Sequence, residues 1–171
     1  MNIFVLDKDP AKAAQMMCDA HVCKMIVESA QLLSTHDRIT GRFKEPNCLY
    51  RPTHQSHPCR MCLCNATNRE WLICHLNALL DEYSFRYRKI HKSSALFDMY
   101  YGNERIDYIT EAFRDGTLDH ECTFPKCMPD EFKVGGDDLA SVIQSYRNYY
   151  KYKQQTMHRF RYKKRDMPEW L

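Results

Sequence analysis

The chain has 171 residues, 44% of them hydrophobic and 27% charged, with a formal net charge of +3, an ordinary composition for a globular protein with its own core. Five glycines argue against a β-rich fold, no apolar run approaches the ~18 residues that span a membrane, and the N-terminus lacks the apolar stretch of a signal peptide. The expectation is a soluble, intracellular, all-α protein folded as one domain over residues 1–171, with no membrane partner.

Met1 to Leu6 reads as a short extended arm. Asp9 followed by Pro10 has the form of a helix N-cap and first helical residue, so a helix is predicted from there through Leu33. Val22, Met25, Ile26, Ala30 and Leu33 make its buried stripe, and His21, Lys24, Glu28 and Gln31 fall on another side. His21 and Glu28 are seven residues apart, two turns, which stacks them on one face with Lys24 between. That face reads as an active site with the Met1 α-amine near it; the plainer alternative is a solvated side with a Lys24–Glu28 pair.

Thr40 to Pro58, with Gly41, Pro46, Pro52 and Pro58, is a long loop rich in histidine and basic residues. It leads into Cys59, Cys62 and Cys64. Nine cysteines without a signal peptide read as reduced thiols, either small core hydrophobes or metal ligands. Zinc prefers thiolate and imidazole, and a zinc site would be drawn from Cys18, His21, Cys59 and Cys62; Cys122 and Cys127 are too widely spaced to form a second CxxC. Unliganded thiols are the leading reading, so no cofactor is assigned.

Thr67 and Glu70 form a capping-box signature that opens a helix through Leu72, Leu76, Leu79, Leu80, Tyr83, Tyr87 and Ile90, the predicted central core helix. A shorter helix is predicted over about 104–114, with Ile106, Ile109 and Phe113 on its apolar side. Thr117 to Gly136 is a second long loop. The last helix is predicted to start after Asp137 or Asp138, to run through Val142, Tyr146 and Tyr149, and to form a basic, aromatic C-terminal helix over about 138–165.

No acidic residue lies between Asp138 and Asp166, whereas Arg147, Lys151, Lys153, Arg159, Arg161, Lys163, Lys164 and Arg165 do. Tyr146, Tyr149, Tyr150, Tyr152, Phe160 and Tyr162 interleave with them. Cations among aromatic rings neutralise phosphate and stack on bases, so this segment points to nucleic acid; the alternative is a terminal helix whose tyrosines pack inward.

With these residues in view, the chain resembles the pyrimidine-dimer DNA glycosylase (endonuclease V) family. The shared parts are an arm leading into a helix with a His and a Glu seven residues apart, as His21 and Glu28 stand here, a loop with a His-Pro like His57–Pro58, and a long helix ending in an acid and an Arg-aromatic, as in Glu82-Tyr83-Ser84-Phe85-Arg86-Tyr87. An aromatic and basic end like Tyr146 to Lys153 completes the set. The chain also looks like a group of uncharacterised phage proteins with Cys-Asp-x-His and a terminal Pro-Glu-Trp, here Cys18–His21 and Pro168–Trp170.

The resemblance implies a DNA glycosylase and abasic-site lyase acting on double-stranded DNA, with Met1 supplying the nucleophilic amine, Glu28 and His21 the other catalytic groups, and a damaged or modified pyrimidine as target. An α-amine suits this, since such groups titrate near 7.7–8 against about 10.4 for lysine. Asn2 is large enough to keep the initiator Met in place. Lys24, His54, His57, Arg86, Arg147, Tyr149, Tyr150, Lys151, Lys153, Arg159 and Arg161 would contact the nucleic acid. Val27 and Gln31 stand where the phage enzyme has arginines, so pyrimidine-dimer recognition does not carry over. The alternatives are a non-catalytic nucleic-acid-binding protein stiffened by zinc or thiols, a metal-dependent nuclease using His54, His57, Cys59 and Cys62, and a helical interaction module with an acidic partner.

Overall fold

The computed structural model describes residues 1–42, 50–101, 111–118 and 121–171, of 99–101 the backbone alone. The described residues are helical, with no strand among them: α1 (Pro10–Gln15), α2 (Asp19–Ile39), α3 (Pro58–Met61), α4 (Ala66–Tyr87), α5 (Ser94–Tyr101) and α6 (Leu139–Thr156), plus short 3₁₀ turns at Cys62–Cys64 and Asp130–Phe132. Of the predicted 104–114 helix, residues 111–114 are helical and 104–110 lie outside the described residues.

The central helix is α4. Its Trp71, Leu72, Leu76, Leu79 and Leu80 are buried, and α1 and α2 pack along it. The cap lies two residues before the predicted one, because Asn65 Oδ1 takes the N–H groups of Thr67 and Asn68 at 2.8 and 3.2 Å. Thr67 sits in the first turn and donates to Glu121 Oε2 at 2.7 Å. The chain leaves α4 at Arg88, in the left-handed region with φ 57°, and Ile90 lies outside the helix and exposed.

Asp9 caps α1 as the sequence indicates, accepting from the N–H groups of Ala11 and Lys12. The single helix predicted from Pro10 to Leu33 is instead two, broken over Met16–Cys18. Distant groups take up the freed backbone: Arg86 donates to the Gln15 and Met17 carbonyls, Tyr162 Oη to the Met16 carbonyl, and the Cys18 N–H goes to Tyr150 Oη at 2.8 Å. A break satisfied this completely costs little, and its partners lie 69–146 residues away, beyond any local pattern.

The predicted stripe of α2 is fully buried, and its C-terminal half adds Asp37, held by a buried two-pronged pair with Arg69 of α4 at 3.0 and 2.9 Å. The arm has no regular secondary structure and is not extended at Phe4, and Ile3 to Leu6 are core residues rather than a free strand end. Phe4 has φ 55°, a strained geometry for a bulky side chain, and its ring is fixed by His21, Tyr146, Tyr149 and Tyr150.

Asp138 caps α6, one of the two positions predicted. The helix stops at Thr156 rather than continuing to 165, and residues 157–171 return across the break between α1 and α2. The Asp19 N–H binds the Arg161 carbonyl at 2.8 Å, the Lys163 N–H binds Asp19 Oδ1 at 3.0 Å, and Arg165 pairs with Glu82. No helix among the described residues is long and apolar enough to cross a membrane.

Candidate active site

Glu28 lies in the middle of α2, its side chain 15% exposed, with Lys24 Nζ one turn back at 3.4 Å and 62% exposed. The buried arm brings the start of the chain to it: the Asn2 N–H donates to Glu28 Oε2 at 3.0 Å. Three bonds, at most about 3.7 Å, separate the nitrogens of Met1 and Asn2, so the α-amine stands within roughly 7 Å of that oxygen. Asn2 also donates from its side-chain amide to the Cys127 carbonyl at 2.9 Å, clamping the arm between α2 and the 121–129 segment. In the sequence Asn2 has meaning only as a neighbour of Met1; nothing local marks a clamp whose partners are 26 and 125 residues off.

His57 enters from the N-cap of α3. Its Nδ1 accepts the Cys59 N–H at 3.1 Å, which gives the neutral ring its proton at Nε2. Burial lowers its pKa, the Met1 ammonium and His54 lower it further, and Glu28 opposes them. Amine, carboxylate and imidazole are therefore within electrostatic reach of one another. His54 is exposed, its ring 6.4 Å from that of His57, with Thr53 Oγ1 at 2.6 Å from its Nδ1.

Two thiols complete the surroundings. Cys59 Sγ donates to Cys127 Sγ at 3.5 Å. That bond and burial push the Cys59 thiol up, while accepting the bond lowers Cys127, helped by the charges of Met1 and Lys133. Ligand atoms of His57, Cys59 and Cys127 all lie within 4.8 Å of one another. Among the described residues this is the set that converges, in place of the Cys18, His21, Cys59 and Cys62 drawn from the sequence. Cys18 is buried at the N-cap of α2, His21 is engaged with Tyr150, and the Cys62 thiol donates to the Cys59 carbonyl at 3.2 Å. Spacing along the chain does not single out Cys127, whose thiol partner lies 68 residues earlier.

His21 does not share the open face with Glu28. It is 5% exposed, stacked under Phe4 with ring centroids 4.7 Å apart, and its Nδ1 is 2.9 Å from Tyr150 Oη. Burial, then the charges of Lys24 and Lys153, bring its pKa down to about 4, so it is a neutral ring supporting the arm. The two-turn spacing is real, but the first turn of α2 is sealed by Phe4 of the arm and Tyr150 of α6, whereas Glu28, in the third, keeps part of its side chain open beside Asn2.

Of the residues assigned to nucleic acid, Arg86 and Tyr150 reach no surface; both are 0% exposed. Arg86 is consumed by Glu82, Asp19 and two carbonyls, and Tyr150 by Cys18 and His21. Arg147 is tied to the Leu6 carbonyl at 2.9 Å and to Asp7 at 3.3 Å, with its guanidinium over Trp170. Lys151, Arg159 and Arg161 are exposed. Tyr149 is half-buried between Phe4, Phe132 and Tyr152, with Lys153 Nζ 5.0 Å above its ring. The charges of Lys24 and Lys153 both act on His21, and Lys153 stands at the Tyr149–Tyr152 ledge.

No family model matches the chain, and no curated protein or solved structure is found to be similar to it.

Proposed function

We propose that the chain is a DNA glycosylase and abasic-site lyase that uses the α-amine of Met1 on a damaged or modified pyrimidine nucleotide in double-stranded DNA. The observation that carries this reading is the hydrogen bond from the Asn2 N–H to Glu28, which holds a carboxylate beside the start of the chain, with His57 answering to both charges. An amine, an acid and an imidazole at one partly open spot are the parts that imine chemistry on a sugar needs.

In this mechanism the neutral amine attacks C1′ and the base leaves. Glu28 stabilises the positive charge that develops on the sugar and carries a proton from the attacking nitrogen to O4′ as the C1′–O4′ bond breaks and the imine forms. Glu28 then removes a C2′ proton, and the 3′ phosphate leaves with the electron pair of its C–O bond. Lys24 and Lys153 would neutralise phosphate, and the Tyr149–Tyr152 ledge would stack on a base out of the helix.

The test is borohydride trapping on duplex DNA containing an abasic site, with wild type, Glu28→Gln and a form whose N-terminus is acetylated or extended. A covalent adduct mapped by mass spectrometry to the Met1 nitrogen, and absent from the blocked form, supports the reading. Intact DNA binding with no adduct from any form overturns the lyase mechanism and leaves a nucleic-acid-binding protein.

A further inference from the structure

We propose that His57, Cys59 and Cys127 form a binding site for one thiophilic divalent cation, zinc by preference, that ties the start of α3 to the 121–129 segment. Their ligand atoms already lie within 4.8 Å of one another, and the two sulfurs are 3.5 Å apart. Two thiolates on a tetrahedral zinc at about 2.3 Å each stand roughly 3.7 Å from one another, so the pair needs only a small adjustment. An imidazole and two thiolates are also the donor chemistry that zinc selects over magnesium or calcium.

The backbones that carry the donors are held independently of any ion. His57 and Cys59 flank Pro58 at the N-terminus of α3, and Cys59 is fully buried. The Cys127 carbonyl takes the Asn2 side-chain amide at 2.9 Å, and its N–H lies 3.4 Å from Tyr146 Oη. Donors on fixed backbone lose little freedom on binding. Coordination displaces both thiol protons, so two thiolates balance the dication and the half-buried site carries no net charge. His57 must give up the bond that its Nδ1 accepts from the Cys59 N–H, whichever ring nitrogen binds, which exchanges one neutral hydrogen bond for a coordinate bond.

Three protein ligands leave a fourth position. Cys62, whose thiol rests on the Cys59 carbonyl, and the Met1 amine, whose charge acts on all three donors, are its neighbours. The site stands on the thiols and His57 and does not depend on imine chemistry at Met1.

The experiment is titration of the reduced, chelator-treated full chain with Co²⁺, followed by displacement with Zn²⁺. The expected result is one equivalent bound, a sulfur-to-cobalt charge-transfer band with the visible bands of tetrahedral cobalt, and release of about two protons per ion. Cys59→Ser and Cys127→Ser each lose most of the charge-transfer band, and Cys64→Ser, an exposed thiol outside the group, keeps it. In wild type, where misfolding is not at issue, Zn²⁺ protects Cys127, the partly exposed thiol of the pair, from alkylation and leaves Cys64 reactive. Absence of the charge-transfer band, a band unchanged in Cys127→Ser, or alkylation of Cys127 unaffected by Zn²⁺ each overturns the proposal.

Discussion

The main-chain N–H of Asn2 and the carboxylate of Glu28 meet at 3.0 Å, and this one bond turns the first residues of the chain from a loose end into part of α2's surface. Glu28 thereby has two separable duties, anchoring the arm and serving the chemistry proposed for it. Gln at position 28 keeps an acceptor for the Asn2 N–H but cannot take a proton. Glu28→Gln is expected to leave stability in urea nearly unchanged while slowing strand cleavage at an abasic site by roughly 10²-fold or more, the usual worth of a positioned acid or base. Glu28→Ala is expected to lose the anchor too, at about 1 kcal/mol. If Glu28→Gln cleaves at the wild-type rate, Glu28 is an anchor only.

Arg86 is the tie between α4 and the broken start of the α1–α2 unit. It gives donors to Glu82, to Asp19 and to the carbonyls of Gln15 and Met17, all without exposure to water. Arg86→Met leaves a buried carboxylate with the half-exposed Arg165 alone and orphans two carbonyls, a loss expected at about 3–5 kcal/mol. Lysine offers three donors from a single point and cannot reproduce the fork, so Arg86→Lys should also destabilise. Urea denaturation measures both. A variant within about 1 kcal/mol of wild type would mean that this network is not a main support of the fold.

Helix stripes and caps, the features legible in the sequence, depend on neighbours three or four residues away. Asp9–Pro10, Asp138 and the buried set Val22, Met25, Ile26, Ala30 and Leu33 are of this kind. The departures share the opposite property. The break at Met16–Cys18 exists because Arg86, Tyr150 and Tyr162 arrive from elsewhere to take its backbone groups, while the local residues are all good helix formers or neutral to a helix. Interleaved tyrosines and cations on α6 have the pattern of one exposed surface, yet Tyr146 and Tyr150 line the core and the rings further out form the ledge. At the site, spacing set His21 and Glu28 on one face but could not foretell that the arm would bury His21, and it gave no sign of Asn2 and Cys127, whose meaning lies in a bond between residues 125 apart.

Exposed and engaged cations should behave differently toward DNA. Lys151, Arg159 and Arg161 are exposed, and the slope of log affinity against log salt carries about 0.9 for every phosphate that the protein neutralises. Single alanine variants at positions that pair with phosphate should weaken duplex binding evenly across sequences and flatten that slope by about one unit, read by fluorescence anisotropy at several salt concentrations. Arg147→Ala should instead lower stability, since its guanidinium holds the Leu6 carbonyl and Asp7. Tyr152, 43% exposed on the ledge, is the ring whose removal should weaken binding to DNA with an unpaired base without unfolding the protein. Salt-independent binding, or slopes unchanged in all three cation variants, would remove this surface from the interface.

Acid should loosen the fold through two histidines that are buried neutral. His75 is sealed between Trp71, whose ring is 4.7 Å away, and the Pro10 carbonyl, to which its Nδ1 bonds at 2.9 Å; burial brings its pKa down to about 4. His21, under Phe4, is likewise down to about 4. In the unfolded chain both titrate near 6.5, so between these values the unfolded state binds more protons and stability rises with pH. The stabilisation is complete above about pH 6.5 and is lost progressively as pH falls toward 4, each histidine accounting for roughly 3 kcal/mol at full effect. Urea midpoints measured from about pH 7.5 to 4 should fall accordingly, and His75→Gln, which removes one of the two largest of these titrations, should show a fall smaller by the His75 share. A wild-type curve flat from about pH 6.5 to 4.5, or a His75→Gln curve parallel to it, would show that His75 picks up its proton in the folded protein at no cost.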